Sequence, residues 1–284
     1  MIPAQFDYVA PSTVEEAVVA LTEAGEDAKV LAGGQSLLPV LRMRLADPQV
    51  IVDLGRIAAL RGVREDGDSL VIGAMTTHHD VQRDPLVQQH AKLIALATRT
   101  VADPQVRHRG TFGGSLAHAD PAGDLPAPAL VLDAEMVVAG PSGRRTVPAA
   151  EFFVDYFTTA LQPGELLVEV RMPKWTGWRA HYEKFNRVAQ AWSIVGVAAA
   201  VQVSDGTIAQ ARVGLTNMGP TPIRATGVEQ ALVGQPATAE AIRAAAQHAT
   251  EGTSPASDAS ADVEYREHLA EVLTGRAVLA AAGG

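Results

Sequence analysis

The sequence predicts an α+β protein built from two or three packed units. A strand, a glycine turn, a helix and a second strand follow one another between residues 29 and 54. Two alternating strands around Asp205-Gly206 give a strong hairpin signal, and alanine-rich helical segments come after them. The 284 residues exceed the size at which a single hydrophobic core is comfortable, so more than one unit is expected.

The first unit is predicted to cover residues of about 1–55. Ser12 followed by Glu15 is a capping-box pattern, and apolar residues then recur at helical spacing. The run AKVLAGG predicts a short buried strand that ends in glycines. Ser36 is the predicted cap of a helix through Leu45, and VIVDL predicts the strand that follows.

The second unit is predicted to cover residues of about 56–175. The runs SLVIGA, AEMVVAG and LLVEVRMP predict strands, and a helix is expected around residues 79–100. Glycine and proline make the run from Asp103 to Pro128 a predicted loop.

After Trp175 the sequence pattern changes to two alternating strands followed by alanine-rich helical segments, and we place a domain boundary there. Residues 1–175 are then one domain with two subdomains, and residues 176–284 are a smaller domain. This smaller domain holds the hairpin and three predicted helices, near 226–233, 238–250 and 261–281.

Composition excludes several classes of function. The net charge of −9 argues against a nucleic-acid partner, which needs a basic surface, and against attraction to anionic lipid. No apolar run approaches the roughly 20 residues that cross a bilayer, so no transmembrane segment is expected. The first residues, MIPAQFDYVAP, lack the basic flank and apolar stretch of a signal peptide, which predicts a cytoplasmic protein.

The chain contains no cysteine. It therefore cannot hold a disulfide, a thiolate zinc site, an iron–sulfur cluster or a cysteine nucleophile. Any redox chemistry must use a bound organic cofactor or a metal held by a partner.

The first glycine run, LAGGQSLLP, has the composition of a phosphate-binding turn. Gly33 and Gly34 allow unusual backbone angles and close approach of a ligand, and a following helix would point its positive end at the same place. No Lys-Ser/Thr pair follows, which excludes a Walker loop, and the dinucleotide pattern Gly-x-Gly-x-x-Gly is missing. Asp53, at the end of the next strand, keeps a nicotinamide-binding unit open as an alternative. A plain strand-to-helix turn is the other.

A second run, RGTFGGSLAHADPAGDLPAPAL, repeats the glycine–serine pattern about 80 residues later. Two such loops would clasp a diphosphate from both sides, mainly through backbone N–H groups. Thr111 and Ser115 add hydroxyl donors, and Asp124 is a candidate acceptor for a ribose hydroxyl.

These residues resemble a known family. The runs KVLAGGQSLLPVLRMRL, VIVDL, VIGAMTTH, DPQVRHRGTFGGSLAHADPAGDLPA and PGELLVEVRMP, with GLTNMGPTP and ASDASADVEYREHLA later, are similar in order and spacing to the FAD-binding medium subunits of molybdenum hydroxylases. That family includes the medium subunits of carbon monoxide dehydrogenases and the FAD domains of xanthine dehydrogenases. The resemblance implies a two-subdomain FAD-binding domain of the vanillyl-alcohol oxidase/PCMH type, followed by a smaller α+β domain with an antiparallel sheet and helices.

The resemblance also implies which residues bind FAD. Lys184 falls where a cation would face the N1–C2=O edge of the flavin, and Trp192 takes the place of a ring-stacking tyrosine. The alternatives are an exposed lysine on a strand and an ordinary core tryptophan before an apolar strand. The sequence departs from the family at Gln35, often His, at Phe112, often Ile, and at Ser115, often Asn or Asp. The full predicted set is Ala32, Gly33, Gly34, Gln35, Ser36, Ala74, Thr76, Thr77, Thr111, Phe112, Gly113, Gly114, Ser115, Asp124, Leu167, Lys184 and Trp192.

Histidines and carboxylates elsewhere suggest no metal site. We expect His78, His79, Asp80 and His90 to be solvated residues near a helix start, because adjacent histidines point in different directions. His118 and Asp120 are expected to be hydrogen-bond partners within the flavin loop. No residue is predicted to be catalytic in the acid–base sense.

The function implied by the resemblance is that of an electron-transfer subunit. A large partner subunit would carry a molybdenum–pterin centre and a small partner subunit would carry 2Fe–2S clusters, in a dimer of heterotrimers. FAD on this chain would pass electrons to an external acceptor, which is quinone, oxygen or NAD. Two alternatives stay open: a self-contained FAD-dependent reductase or oxidase on the same fold, and a scaffold subunit without flavin.

Overall fold

The computed structural model describes residues 2–283. Its first unit is a three-stranded parallel sheet in the order β1-β3-β2, with one helix after β1 and one after β2. These elements are β1 (Asp7–Val9), α1 (Val14–Ala24), β2 (Ala28–Leu31), α2 (Leu37–Arg42) and β3 (Val50–Asp53).

The cap of α1 differs by one residue from the prediction. Thr13, rather than Ser12, accepts the hydrogen bond from Glu16 N, at 3.1 Å. The Glu16 carboxylate in turn accepts from Ser12 N at 2.7 Å, so the return bond reaches the residue before the cap instead of the N–H of the cap itself, as in a capping box. At α2, the Ser36 side chain makes no capping bond, and the helix ends at Arg42 instead of Leu45.

The second unit is a five-stranded antiparallel sheet in the order β4-β5-β10-β6-β7, accompanied by short helices and a small hairpin. The strands are β4 (Val63–Asp66), β5 (Ser69–Gly73), β6 (Glu135–Gly140), β7 (Gly143–Pro148), β8 (Phe153–Asp155), β9 (Thr158–Thr159) and β10 (Leu166–Pro173). The helices are α3 (His78–Val81), α4 (Pro85–His90), α5 (Lys92–Arg99), α6 (Pro104–Arg107), α7 (Phe112–His118), α8 (Pro126–Val131) and α9 (Ala149–Phe152).

Two predictions for this unit are wrong. The helix expected around 79–100 is three helices, because Asp84 caps a new helix with Pro85 at its first position and Ala91 starts another in a non-helical conformation. The run from Asp103 to Pro128 is not a loop throughout, since it holds α6, α7 and the start of α8.

The third unit is a four-stranded antiparallel sheet in the order β11-β12-β13-β14, with three helices. Its elements are β11 (Arg179–Phe185), β12 (Val195–Ser204), β13 (Thr207–Thr216), β14 (Ile223–Arg224), α10 (Thr226–Leu232), α11 (Ala239–Ala246) and α12 (Val263–Ala282). The predicted hairpin is confirmed: Asp205 and Gly206, both at positive φ, join β12 to β13.

Strand β12 is buried on both faces. Val197 and Ala199 belong to the core cluster beneath α10, α11 and α12, whereas Ala198 and Ala200 belong to the core cluster of the second unit, with α5 and α8. Successive side chains of a strand point to opposite faces, so one strand serves two cores. The third sheet is therefore packed against the second unit, and this contact places β11 beside the glycine runs.

Among the described residues, no helix combines the length and the apolar character needed to cross a membrane.

Candidate functional site: a cleft between the two glycine runs

The two glycine runs lie against each other. A Cβ atom on Gly33 would lie 2.6 Å from Gly110 Cα, and a Cβ on Gly114 would lie 3.2 Å from Ala32 Cβ. Both distances are too short for an ordinary carbon contact. The backbone from Ala32 to Gly33 and the backbone from Gly110 to Gly114 can therefore approach so closely only because glycine stands at these positions.

The first run offers open backbone donors. Gly34 has φ +74°, a conformation that favours glycine, and the chain then turns into α2. Within residues 2–283 the N–H groups of Gly34, Gln35 and Ser36 have no hydrogen-bond partner. Successive free N–H groups at such a turn suit an anion.

The second run does not offer backbone donors, contrary to our expectation. Thr111 caps α7, so this run is the first turn of a helix rather than a free loop. Phe112 N donates to Thr76 O (2.9 Å), Gly113 N to Ala74 O (2.9 Å), Gly114 N to Thr111 Oγ1 (3.2 Å) and Ser115 N to Thr111 O (3.0 Å). What remains for a ligand is close approach to the glycines and the hydroxyl groups of Thr111 and Ser115.

Between the runs opens a cleft of about 1240 Å³. It is lined by all of the predicted residues except Thr76, Thr77 and Phe112. Those three hold the walls together instead: the Thr76 hydroxyl bonds to the backbone of Gly62, the Thr77 hydroxyl caps α3, and the Phe112 ring is fully buried.

Leu167 and Ala74 form one side of the cleft through an irregular strand pair. The register between β10 and β6 shifts between Leu167 and Glu169. Val168 O there accepts from Ala74 N at 2.9 Å, beyond the end of β5. Gly113 lies directly on this turn, since a Cβ on it would lie 2.7 Å from Ala74 Cα. The bulge thus fixes where α7 begins relative to the sheet.

Asp124 and Lys184 are a buried ion pair in the cleft wall. Lys184 Nζ donates to Asp124 Oδ2 at 2.8 Å and to Thr100 O at 3.1 Å, and both charged side chains are nearly inaccessible. Tyr182 Oη and Ser193 Oγ donate to Asp124 Oδ1, at 3.0 and 2.9 Å. Burial raises the pKa of the Asp124 carboxyl above its ordinary value, and Lys184 opposes that rise.

This pairing changes what each residue can offer a ligand. Asp124 already accepts three hydrogen bonds, so it is a weaker candidate for a ribose hydroxyl than the sequence suggested. An ammonium group has three protons, and Lys184 has used two. The third is the proton that Lys184 can present to the cleft.

Trp192 is half exposed, at 53%, on the connection between β11 and β12, and its ring lines the cleft. The alternative that it is an ordinary core residue is therefore excluded. Gln190, two residues earlier, donates to Asp103 Oδ2 at 2.6 Å and ties this connection to the start of α6. An exposed indole at the edge of a cleft is suited to covering a flat ring.

Two histidines, His78 and His90, differ from the sequence prediction of solvated residues. His78 is 4% exposed rather than solvated, and it lines the cleft beneath Gly110. Burial, and then Arg107, lower the pKa of His78 to about 4, and within the described chain its buried Nδ1 has no partner. His90 is also buried, 2.6 Å from Thr176 Oγ1 and 3.3 Å from Glu65.

Other cleft residues had weaker signals in the sequence. His118 and Asp120 line the cleft 3.9 Å apart; burial lowers the pKa of His118 and raises that of Asp120. Phe157, exposed at positive φ beside β9, and the turn at residues 162–164 were missed. A proline–glycine pair marked that turn, but nothing in it indicated a ligand.

The cleft fits a dinucleotide cofactor in its donor set and in its side-chain-poor walls. It joins free backbone N–H groups, two hydroxyls, a buried lysine and an exposed indole along one continuous surface. The fold and the site therefore indicate the class of proteins that hold a dinucleotide cofactor in a cleft between packed subdomains.

Comparison with known proteins agrees with that class. Residues 4–175 match the family described as FAD binding domain in molybdopterin dehydrogenase, and residues 180–281 match the CO dehydrogenase flavoprotein C-terminal domain. The chain belongs to the FAD-binding family of molybdopterin dehydrogenases. The predicted family, the predicted α+β fold and the predicted cofactor FAD are thereby confirmed.

Individual relatives are similar over their whole length. The chain is 44% identical to the carbon monoxide dehydrogenase medium chain of Hydrogenophaga pseudoflava, covering 99% of this chain and 98% of that one. It superposes with a TM-score of 0.95 on carbon monoxide dehydrogenase from Hydrogenophaga pseudoflava lacking the Mo-pyranopterin moiety, at 45% identity and 99% and 98% coverage. Quinoline 2-oxidoreductase from Pseudomonas putida 86 gives a TM-score of 0.96 at 34% identity, with 100% and 99% coverage.

Proposed function

We propose that the chain is the FAD-carrying electron-transfer subunit of a heterotrimeric molybdenum hydroxylase similar to carbon monoxide dehydrogenase. In this proposal a large partner with a molybdenum–pterin centre oxidises the substrate, and a small partner passes the electrons on through 2Fe–2S clusters. Bound FAD supplies the exchange between single electrons and electron pairs. The absence of cysteine supports placing the clusters on another chain.

The observation that carries the proposal is the contact between the two glycine runs within one cleft. The N–H groups of Gly34, Gln35 and Ser36 would bind the FAD diphosphate from one side. The hydroxyls of Thr111 and Ser115 would approach it from the other. The individual assignments of residues to FAD are proposals that rest on this arrangement.

The flavin end of the cleft would be tuned by two residues. Lys184 would direct its remaining proton to the N1–C2=O edge and hold negative charge there. Trp192 would cover the ring and exclude water from one face. No side chain of this chain is assigned a role in making or breaking substrate bonds.

The substrate and the acceptor are properties of the assembly rather than of this cleft. The relatives named above include a carbon monoxide dehydrogenase and a quinoline oxidoreductase, although their chains are equally similar in fold to this one. We therefore propose that the large partner selects the substrate. Quinone, oxygen and NAD are the candidate acceptors, and a cytoplasmic dimer of heterotrimers stays a prediction.

The proposal is tested by isolating the native complex through a tag on this chain and measuring its FAD and its reduction. Carbon monoxide and quinoline serve as probe substrates, and the genes of the co-purified chains identify others. We expect stoichiometric FAD that substrate reduces in the complex but not in the isolated chain. Reduction of the isolated chain by NADH would favour the self-contained reductase instead. A complex that is active but free of flavin would favour the scaffold alternative.

A further inference from the structure

Arg266 on α12 is the largest side chain that is fully buried in the described chain, with 1% of its surface exposed. Burying a guanidinium group is costly unless its donors are paired. Arg266 Nη2 donates to Asp258 Oδ2 at 2.6 Å, and Arg266 Nη1 donates to the carbonyl oxygen of Ile194. The guanidinium group thus holds the backbone carbonyl of Ile194, two residues after the cleft residue Trp192.

The same carbonyl is held from a second direction by Asn217. Asn217 Nδ2 donates to Ser193 O at 2.8 Å and to Ile194 O at 3.2 Å. Asn217 N donates to Pro121 O at 2.9 Å, in the segment that follows α7. Asn217 therefore connects the segment after α7 to the Ser193–Ile194 backbone.

The held segment adjoins one residue of the cleft, Trp192, and bonds to another, Asp124. Trp192 immediately precedes Ser193, and Ser193 Oγ donates to Asp124 Oδ1, the partner of Lys184. A backbone shift at Ser193–Ile194 would therefore move the indole and weaken the bond to Asp124 together. The Asp258 carboxylate also accepts from Ser260 N at 2.7 Å and from Ala261 N at 3.1 Å, which holds the partner of Arg266 in place.

We propose that Arg266 and Asn217 are positioning residues for the flavin, acting through the Ser193–Ile194 backbone on Trp192. The inference rests on the proposed function, since it assumes that Trp192 covers the ring. It extends the setting of the flavin environment from Lys184 and Trp192 to α12, although Arg266 lies 74 residues after Trp192 in the chain.

The variants for the test are Arg266→Met and Asn217→Gly. The methionine keeps the buried stem and removes the donors, and glycine tolerates the positive φ of Asn217 (+63°) while removing the amide. Arg224→Met is the matched control, because Arg224 is a paired arginine of the same domain whose bonds go to Glu229 and Asp133 instead of to Ser193 or Ile194. All variants are prepared in the complete complex.

The first readout is the fluorescence of FAD excited with visible light, because an indole stacked on a flavin quenches it. We expect Arg266→Met and Asn217→Gly each to raise the emission per FAD by about twofold or more, and the increase to disappear in a Trp192→Leu background, as a coupled pair requires. Arg224→Met is expected to leave the emission unchanged. Unchanged emission in Arg266→Met and Asn217→Gly at full FAD content, or an increase that persists without Trp192, would overturn the inference.

The second readout is hydrogen exchange of residues 186–194, which needs no flavin. We expect faster exchange there in Arg266→Met and Asn217→Gly than in the parent or in Arg224→Met. If the parent complex lacks FAD, the proposed function fails, while this exchange still decides whether the two residues hold the segment. Equal exchange in all four proteins would overturn the positioning role.

Discussion

Ser115 lies in the first turn of α7 and lines the cleft, while its backbone N–H is already bonded to Thr111 O. Its side chain can therefore be changed without removing a bond of the helix. Gly114 is less suitable for such a test, because a Cβ there would lie 2.6 Å from Thr111 Oγ1, the cap of α7. A valine at Gly114 would disturb the helix start as well as the cleft.

We predict that Ser115→Asp weakens FAD binding by about tenfold or more, since a carboxylate would face the diphosphate. The fold is expected to be kept, because an acidic residue in the first turn of a helix is favourable. Equilibrium dialysis or fluorescence titration of FAD measures the effect, with Ser115→Ala as the matched control. Full FAD affinity in Ser115→Asp would show that this turn does not face the diphosphate.

Lys184 has a structural role that can be separated from its flavin role. Lys184→Met leaves Asp124 buried without its counter-ion, so we expect a loss of about 3 kcal/mol or more in the free energy of unfolding. In the double variant Lys184→Met/Asp124→Asn the stability is expected to recover, because the amide oxygen introduced in place of the carboxylate would still accept from Tyr182 and Ser193. The FAD reduction potential of this double variant should stay below that of the parent. A parental potential would show that Lys184 does not touch the flavin.

The lowered pKa of His78 predicts that the free energy of unfolding decreases in acid. Its pKa is lowered to about 4 in the folded chain from an ordinary value of 6.5, so the unfolded chain binds the proton first as the pH falls. The stabilisation is complete above pH 6.5 and is lost toward pH 4, amounting to about 2 kcal/mol between pH 7 and pH 5.

Urea unfolding at pH 7 and pH 5 measures this effect. His78→Gln, which cannot take up a proton, should show a smaller pH dependence than the parent. His248→Gln is the control, since His248 is exposed and pairs with Glu251 on the surface. An unchanged pH dependence in His78→Gln would contradict the assignment.

At the scale of elements, the packing of β13 on α8 can be tested at Gly214, with Gly275 in α12 as the comparison. A Cβ on Gly214 would lie 2.7 Å from Val131 Cγ2 and 3.1 Å from Ala127 O, so Gly214→Ala should destabilise the chain by about 1–3 kcal/mol. A Cβ on Gly275, within α12, would meet Ala246 Cβ at 3.8 Å, an ordinary contact distance. Gly275→Ala should therefore stabilise by up to about 1 kcal/mol through helix propensity. Thermal denaturation compares the two, and a stable Gly214→Ala would contradict the close packing.

The strands and the hairpin could be predicted from the sequence because their signals are local. Apolar runs bounded by turn residues indicated β2, β3, β5, β6 and β10, and Asp205-Gly206 indicated the turn between β12 and β13. The short helices between residues 78 and 131 were harder. Asp84 and Pro85 lie inside the single helix predicted for residues 79–100, where they start a new helix instead. Asp103 and Thr111 cap helices in the run whose prolines and glycines predict a loop.

The site could be predicted in part for a similar reason. Glycine pairs indicated where backbone would approach a ligand, and the structure brings Gly33 and Gly114 to one cleft. Which N–H groups stay free could not be predicted, because it depends on Ala74 and Thr76 accepting from the start of α7. The pairing of Asp124 with Lys184 joins residues 60 positions apart and needed the third sheet to be in place.

For the whole molecule, the three units act together on one cleft. The first unit supplies Gly34 to Ser36, the second supplies α7 and the bulge near Leu167, and the third supplies Lys184 and Trp192. The sharing of β12 between two cores keeps the third unit against the second. Cofactor binding is thus expected to depend on the relative placement of all three.

The central claim is that the two glycine runs hold a single FAD between them, and a structure of the purified complex with its native cofactor tests it most directly. The account predicts the diphosphate within hydrogen-bonding distance of the N–H groups of Gly34 to Ser36 and of the Ser115 hydroxyl, with the flavin ring between Lys184 and Trp192. An FAD bound elsewhere on the chain, or a diphosphate out of reach of both glycine runs, would contradict it.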